Sequence, residues 1–95
     1  MKIETKELRR IFNVLLDHLE SAGQDSFDPP WDFYWEVAKD DLYNPYSEPG
    51  QLSLGQLADD WGELVKIVNQ DMPPVGYALV WLSAILRAVG ESAEL

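Results

Sequence analysis

Paired carboxylates and one histidine are the side chains of this sequence that could perform chemistry. Asp40–Asp41 and Asp59–Asp60 are adjacent acids, and His18 is the only histidine. A calcium-binding loop needs alternating acids, a glycine at the turn and a closing glutamate, and neither acidic pair follows that pattern. Zinc prefers cysteine and histidine to carboxylates alone, and the chain has no cysteine. We therefore predict no metal site and no cofactor.

Signatures of nucleophilic and hydrolytic catalysis are also missing. The sequence has no Gly-x-Ser-x-Gly turn and no glycine-rich phosphate loop. A carboxylate pair that hydrolyses sugars needs a substrate cleft, for which a chain of 95 residues leaves little room. Asp59 and Asp60 fall instead in the first turns of a predicted helix, where acids interact favourably with the helix dipole. We predict no catalytic residues and a protein that is not an enzyme.

Composition indicates one domain, residues 1–95, that is folded and strongly acidic. The chain is 46% hydrophobic and has eleven aromatic residues, which is enough for one core. Its net charge of −10 argues against direct binding to nucleic acid or to anionic membranes. Residues 1–10 are charged rather than apolar, and the longest apolar run, 75–86, is too short to span a bilayer. We expect a cytoplasmic protein.

The N-terminal segment predicts an amphipathic helix over residues 5–22. Thr5 is a candidate cap, and Gly23 is a candidate stop signal. Apolar residues recur at spacings of three and four, which places them on one helical face. These residues are Leu8, Ile11, Phe12, Leu15, Leu16 and Leu19.

Residues 24–50 predict an irregular segment that is rich in aromatic side chains. Four prolines prevent a long helix from running through it, and a short helical turn is expected near 37–43. A plain linker is not built from aromatic residues, so we expect the segment to fold back and bury some of them.

Two further helices are predicted in the C-terminal half. The second begins at Ser53, which with Gln56 forms a capping box, while Leu52 and Leu57 form a hydrophobic staple. It continues to about residue 70.

The third predicted helix follows Pro73 and Pro74, spans residues 75–89 and ends at Gly90. It lacks a polar face, so it must be covered on all sides, either as the central helix or as half of a dimer interface. The fold class is therefore all-α: a compact bundle of three main helices with the aromatic-rich irregular segment between helices one and two.

Residues 23–63 carry most of the negative charge. They hold one lysine and ten acids, a net charge of −9, together with eight of the eleven aromatic residues. Aromatic side chains supply contact area at interfaces, and carboxylates steer a basic partner. We expect the partner-binding residues to be Trp31, Tyr34, Trp35, Asp40, Asp41, Tyr43, Tyr46, Asp59 and Asp60. The alternative is that the aromatic residues form the core and the acids are its solvated side.

Three stretches resemble a family of small acidic bacterial proteins of uncharacterised function. They are Asp-Phe-Tyr-Trp-Glu-Val at 32–37, Leu-Tyr-Asn-Pro-Tyr at 42–46 and Leu-Ser-Leu-Gly-Gln-Leu-Ala-Asp-Asp-Trp at 52–61. The resemblance covers about residues 5–70 and implies a bacterial origin, but no activity or cofactor. Ala38 departs from the family, which often has proline there. In overall profile the chain is also similar to immunity proteins that neutralise bacterial nuclease toxins.

Two functions are consistent with these observations. The first is a non-enzymatic protein-binding module (an inhibitor, immunity protein or adaptor) that docks a basic protein, such as a toxin, through the acidic and aromatic central segment. The alternative is a structural or assembly protein that forms a homodimer through its apolar C-terminal helix.

Overall fold

Within residues 1–94, which the computed structural model describes, the chain forms four helices and two strands. In chain order the elements are α1 (Thr5–Ser21), β1 (Phe33–Val37), α2 (Lys39–Leu42), β2 (Leu52–Gln56), α3 (Leu57–Val68) and α4 (Ala78–Ser92). Helices hold 51% of the residues and strands hold 11%, so the fold is mixed although mostly helical.

The two strands form an antiparallel sheet, which corrects the prediction of an all-α bundle. Trp35 pairs with Leu54, and Val37 pairs with Leu52. In both strands large apolar side chains recur at every second position, which is the period of a strand rather than a helix. The segment between the first and second long helices is therefore not irregular throughout, because it contains β1, α2 and β2.

The predicted start of the second long helix at Ser53 is wrong. Ser53 lies in β2 opposite Glu36, and α3 begins only at Leu57. The capping box does not form, and the side chain at the N-cap position, Gln56, makes no capping hydrogen bond. Pairing with β1 satisfies the backbone of this segment instead, so its hydrogen bonds go to a distant strand rather than to its own helix.

The predictions for α1 and for the short helical turn are confirmed. α1 spans Thr5–Ser21, within one residue of the predicted bounds, although no side chain caps its start. Gly23 has a φ of +78°, a conformation that glycine adopts without strain, and the Gln24 amide donates to the Leu19 carbonyl across this turn. α2 falls inside the predicted range 37–43.

α4 is shifted along the chain relative to the third predicted helix. It begins at Ala78 rather than at the prolines, and it continues through Gly90 to Ser92. Residues 75–78 form a turn just before α4, in which the Ala78 amide donates to the Val75 carbonyl. Among the described residues, neither α4 nor any other helix is long and apolar enough to cross a membrane.

The core of the protein lies between α3 and α4 and is small. These two helices pack together, with the sheet against the start of α3, and Leu57 and Ala88 are the buried apolar side chains of the described chain. The accessible surface is 8082 Å², whereas a compact monomer of this mass exposes about 5,500 Å². The radius of gyration is 15.2 Å, compared with about 12 Å for a compact chain of this length. Much apolar surface therefore lies outside any core of the single chain.

α1 carries a large part of this uncovered surface. None of its residues is buried, and Ile11, Val14 and Leu15 are each more than half exposed. Beyond its end, the Gln24 side chain exchanges two hydrogen bonds with the backbone of Glu94, at 3.0 and 3.1 Å. These bonds tie the end of α1 to the end of α4 without covering the apolar face of α1.

Candidate functional site

One face of the sheet presents large apolar side chains to solvent. Because side chains alternate along a strand, the cross-strand pairs of the register place six residues on the same face, and all of them except Gln56 are apolar. Trp35 is 68% exposed, and its cross-strand partner Leu54 is 64% exposed. We call this set the apolar sheet face, and it consists of Phe33, Trp35, Val37, Leu52 and Leu54.

The opposite face of the sheet is held by buried polar contacts. The Tyr34 hydroxyl donates to Asp60 Oδ2 at 2.6 Å, and Asp60 on α3 is only 8% exposed. Burial and then the hydrogen bond to Asp60 raise the pKa of Tyr34 well above its usual value of 10.0. Gly55 lies directly beneath the Tyr34 ring, where a Cβ would overlap the ring carbons. The close approach requires glycine at this point of β2.

A second tyrosine joins the sheet to the start of α4. The Tyr77 hydroxyl donates to Glu36 Oε1 at 3.0 Å. This hydrogen bond is the main reason that the pKa of Tyr77 is raised. Both residues of β1 that point away from the apolar sheet face are therefore engaged, and the orientation of the strand is fixed.

Asp32, just before β1, provides the cap that α3 lacks locally. Its backbone carbonyl accepts from the Leu57 amide at 2.7 Å, and its Oδ1 accepts from the Ala58 amide at 3.1 Å. Its Oδ2 accepts from Gln56 Nε2 at 2.7 Å. One residue thus satisfies two of the free amides at the helix start and places a negative charge at the positive end of the dipole.

Two open clefts flank Trp31, which is 50% exposed. The first has a volume of about 710 Å³ and lies between β1 and α4, with Trp35 and Leu42 among its lining residues. The second, of about 670 Å³, is lined by Trp61 and reaches α4 at Ile85. Both are wide enough to receive side chains of another protein.

The structure distributes the predicted aromatic site residues over several surroundings. Trp31 and Trp35 lie together on the first cleft. Tyr34 is half-buried and engaged with α3, whereas Tyr43 and Tyr46, in the turn after α2, are 77% and 95% exposed. Two tryptophans therefore form one surface, and the two exposed tyrosines extend beyond the clefts.

The predicted acidic site residues also differ in exposure. Asp40 and Asp59 are exposed, Asp41 is half-buried, and Asp60 is buried. Asp60 has a structural role, because it accepts the hydrogen bond from Tyr34 that holds the sheet on α3. Asp40 and Asp41 lie on α2, which follows β1 in the chain. Asp40 and Asp59 are therefore the predicted acidic site residues that are exposed to a partner.

Phe33, Val37, Leu52 and Leu54 belong to this surface and are absent from the sequence-based set. Phe33 is 62% exposed and Leu52 is 46% exposed. The alternation Phe-x-Trp-x-Val, followed later in the chain by Leu-x-Leu, is the signal that could have identified them. Among residues 1–94, no three histidine, aspartate or glutamate side chains are grouped closely enough to hold a metal ion.

Comparison of the chain with protein-family models, with curated proteins and with solved structures found no match. The resemblance to small acidic bacterial proteins therefore stays an expectation from the sequence.

Proposed function

We propose that this protein is a non-enzymatic protein-binding module that docks a basic partner through the apolar sheet face. The observation that carries the proposal is the exposure of Trp35 and Leu54, paired across the strands, in a small acidic domain. Contiguous exposed apolar patches rimmed by polar residues are typical of interaction surfaces.

Aromatic side chains on this face can supply most of the binding energy. Interfaces depend on a few anchors, and tryptophan is enriched among them. Trp31 and Trp35 line an open cleft, so a partner side chain can insert between the sheet and α4. The contacts between Tyr34 and Asp60 hold β1 in place, which reduces the entropy lost when a partner binds.

The negative charge of the segment that contains the sheet favours a basic partner. Residues 23–63 have a net charge of −9, and Asp40 and Asp59 within this range are exposed. Complementary charge raises the association rate and selects against acidic competitors. An inhibitor or immunity protein for a basic toxin fits this chemistry, as does an adaptor. A cytoplasmic location is part of the same proposal.

The proposal is tested by affinity capture from the native lysate at low salt, followed by washes of rising salt. The test variant combines Trp35→Ser and Leu54→Ser. The control is Val68→Ser on α3, because Val68 is 79% exposed but lies outside the sheet face. Circular dichroism verifies that each variant is folded.

We expect wild type and the control to retain one basic protein that rising salt releases, and the test variant to lose it. Equal retention by the folded test variant would contradict the proposed surface. Retention that is independent of salt would contradict the basic partner.

Assembly through α4 is a second candidate, favoured by one observation. Leu79 is 71% exposed and Val80 is 47% exposed at the start of α4. Much of the remaining apolar surface of α4 packs against α3 or is half-buried, so the free part of this helix is short.

A further inference from the structure

α1 is an amphipathic helix whose apolar face is left largely uncovered by the rest of residues 1–94. Leu8, Ile11, Leu15 and Leu16 are between 42% and 58% exposed, while Phe12 and Leu19 are half-buried. In proteins, most of the stability of an amphipathic helix comes from packing of its apolar face. The apolar face of α1 therefore needs another surface to pack against.

The order of apolar residues along α1 is the same when it is read from either end. The gaps between successive members are three, one, three, one and three residues. Two antiparallel copies related by a two-fold axis would therefore match residue for residue. Leu8 would lie opposite Leu19, Ile11 opposite Leu16, and Phe12 opposite Leu15.

A two-fold interface must be self-complementary in this way. We propose that α1 packs antiparallel against α1 of a second copy of this chain.

The charges of α1 are also complementary in the antiparallel arrangement. Residues 1–10 hold four basic and two acidic side chains, a net charge of +2. Residues 11–22 hold Asp17 and Glu20 and no lysine or arginine, a net charge of −2. An antiparallel pair places each positive half beside a negative half, whereas a parallel pair places like charges together.

Asp17 and Glu20 lie near the negative end of their own helix dipole, which is unfavourable within a single helix and is offset in this pair.

The exposed area is large enough for such an interface. The chain exposes 8082 Å², roughly 2,500 Å² more than a compact monomer of its mass. Each partner in a standard interface contributes about 800 Å². The excess can therefore accommodate pairing through α1 and leave the apolar sheet face for another protein. This inference goes beyond the proposed function, because α1 is not part of the sheet face.

The first test is the mass of the protein in solution, measured by sedimentation equilibrium over a range of concentrations. Leu15→Lys introduces a charge at the centre of the α1 face. The matched control is Leu79→Lys on α4, because Leu79 is even more exposed, at 71% against 58%. We expect wild type and the control to be dimers. For Leu15→Lys we expect dimerisation to weaken by about 30-fold for each of the two copies.

The second test reverses the charge of one half of α1 at a time. One variant carries Lys6→Glu, Arg9→Glu and Arg10→Glu, and the other carries Asp17→Lys and Glu20→Lys. In an antiparallel pair of either variant alone, the facing helix halves carry charge of the same sign and repel each other. In a mixed pair the facing halves carry opposite charge, so attraction is restored at both ends. We expect native mass spectrometry to show monomers of each variant and a heterodimer in the mixture.

The control for net charge combines Lys39→Glu, Lys66→Glu and Arg87→Glu. It reverses three positive charges outside α1, and we expect it to remain a dimer.

Three results would overturn the inference: a wild-type monomer at every concentration, dissociation by Leu79→Lys rather than Leu15→Lys, or a charge-reversed mixture that forms no heterodimer. Failure of the proposed function is distinguishable from these results. The Trp35→Ser, Leu54→Ser variant should lose the basic partner and keep its dimer mass, whereas Leu15→Lys should lose dimer mass and keep the partner.

Discussion

Replacing Tyr34 by phenylalanine tests the contact that holds the sheet on α3. Phenylalanine keeps the ring over Gly55 and removes only the hydroxyl that donates to Asp60 at 2.6 Å. Asp60 is 8% exposed, so water cannot readily replace the lost donor. A hydrogen bond to a charged group contributes about 1.5–3 kcal/mol, and loss of one partner leaves the other desolvated. We expect the free energy of unfolding to fall by about 2 kcal/mol.

The assay is urea unfolding followed by tryptophan fluorescence, with every variant at the same protein concentration. For a chain of this size, the expected loss lowers the midpoint by about 1–2 M urea. Tyr77→Phe is the matched control, because it removes the same hydroxyl from a hydrogen bond to Glu36 that is exposed. For Tyr77→Phe we expect the free energy of unfolding to fall by less than about 1 kcal/mol. Equal losses for the two variants would refute the argument that burial of Asp60 sets the magnitude.

Alkaline pH provides an independent readout of the same contact. The pKa of Tyr34 is raised in the folded protein, so the folded state keeps a proton that the unfolded chain releases above its ordinary value of 10.0. This contribution to stability is complete below pH 10 and is lost as the pH rises toward the folded pKa. Stability should therefore decline above pH 10 in wild type and decline less steeply in Tyr34→Phe. An unchanged slope would argue against the raised pKa.

Two further substitutions test neighbouring contacts. Gly55→Ala places a Cβ in steric conflict with the Tyr34 ring and hydroxyl, and it should lower the free energy of unfolding by about 1–3 kcal/mol. Gly62→Ala, whose Cβ meets nothing within 4 Å, should raise the free energy of unfolding by about 0.5–1 kcal/mol. If both alanines have the same effect in urea unfolding, close approach is not the reason for glycine in β2. Asp32→Ala removes the acceptor for the Ala58 amide and should cost about 1 kcal/mol, with faster hydrogen exchange at that amide. Asp32→Asn keeps a side-chain oxygen and should retain most of the protection.

Elements whose signals are local could be predicted from the sequence. α1 is specified by apolar residues at spacings of three and four and by Gly23 at its end, and it was found within one residue of the expected bounds. The residues that determine it lie within its own length, so no distant partner is needed to recognise it. The prolines of residues 24–50 exclude a long helix there, and the helix found between them, α2, is only four residues long.

The two-stranded sheet could not be identified from local signals alone, because its evidence is distributed over two distant segments. Ser53 and Gln56 satisfy a capping pattern, and only the presence of β1, on average about twenty residues away along the chain, makes a strand the better alternative. Once β2 forms, Asp32 replaces the local cap at the start of α3. Tertiary pairing thus overrides a favourable local pattern.

The candidate site was predicted at the level of a segment but not of individual side chains. Composition identified an acidic and aromatic region, and Trp31 and Trp35 in it do share one cleft. Exposure within a strand depends on alternation, so Tyr34 turns inward while its neighbour Trp35 turns outward. The role of Asp60 depends on a tyrosine 26 residues away, and no pattern within α3 reveals it.

The apolar sheet face and the apolar face of α1 have different charges around them, and this difference favours a different partner for each. The sheet face lies in a segment with a net charge of −9, so two copies of it repel each other and a basic protein is attracted. α1 has equal numbers of basic and acidic side chains over residues 1–22, arranged so that it attracts its own antiparallel copy. Each protomer still carries a net charge of −10, so bringing two copies together costs repulsion that salt screens. Rising salt therefore weakens the complex with a basic protein. In the α1 pair, salt screens both the attraction between the helix halves and the repulsion between the protomers, so the dimer should depend less on salt than the complex does.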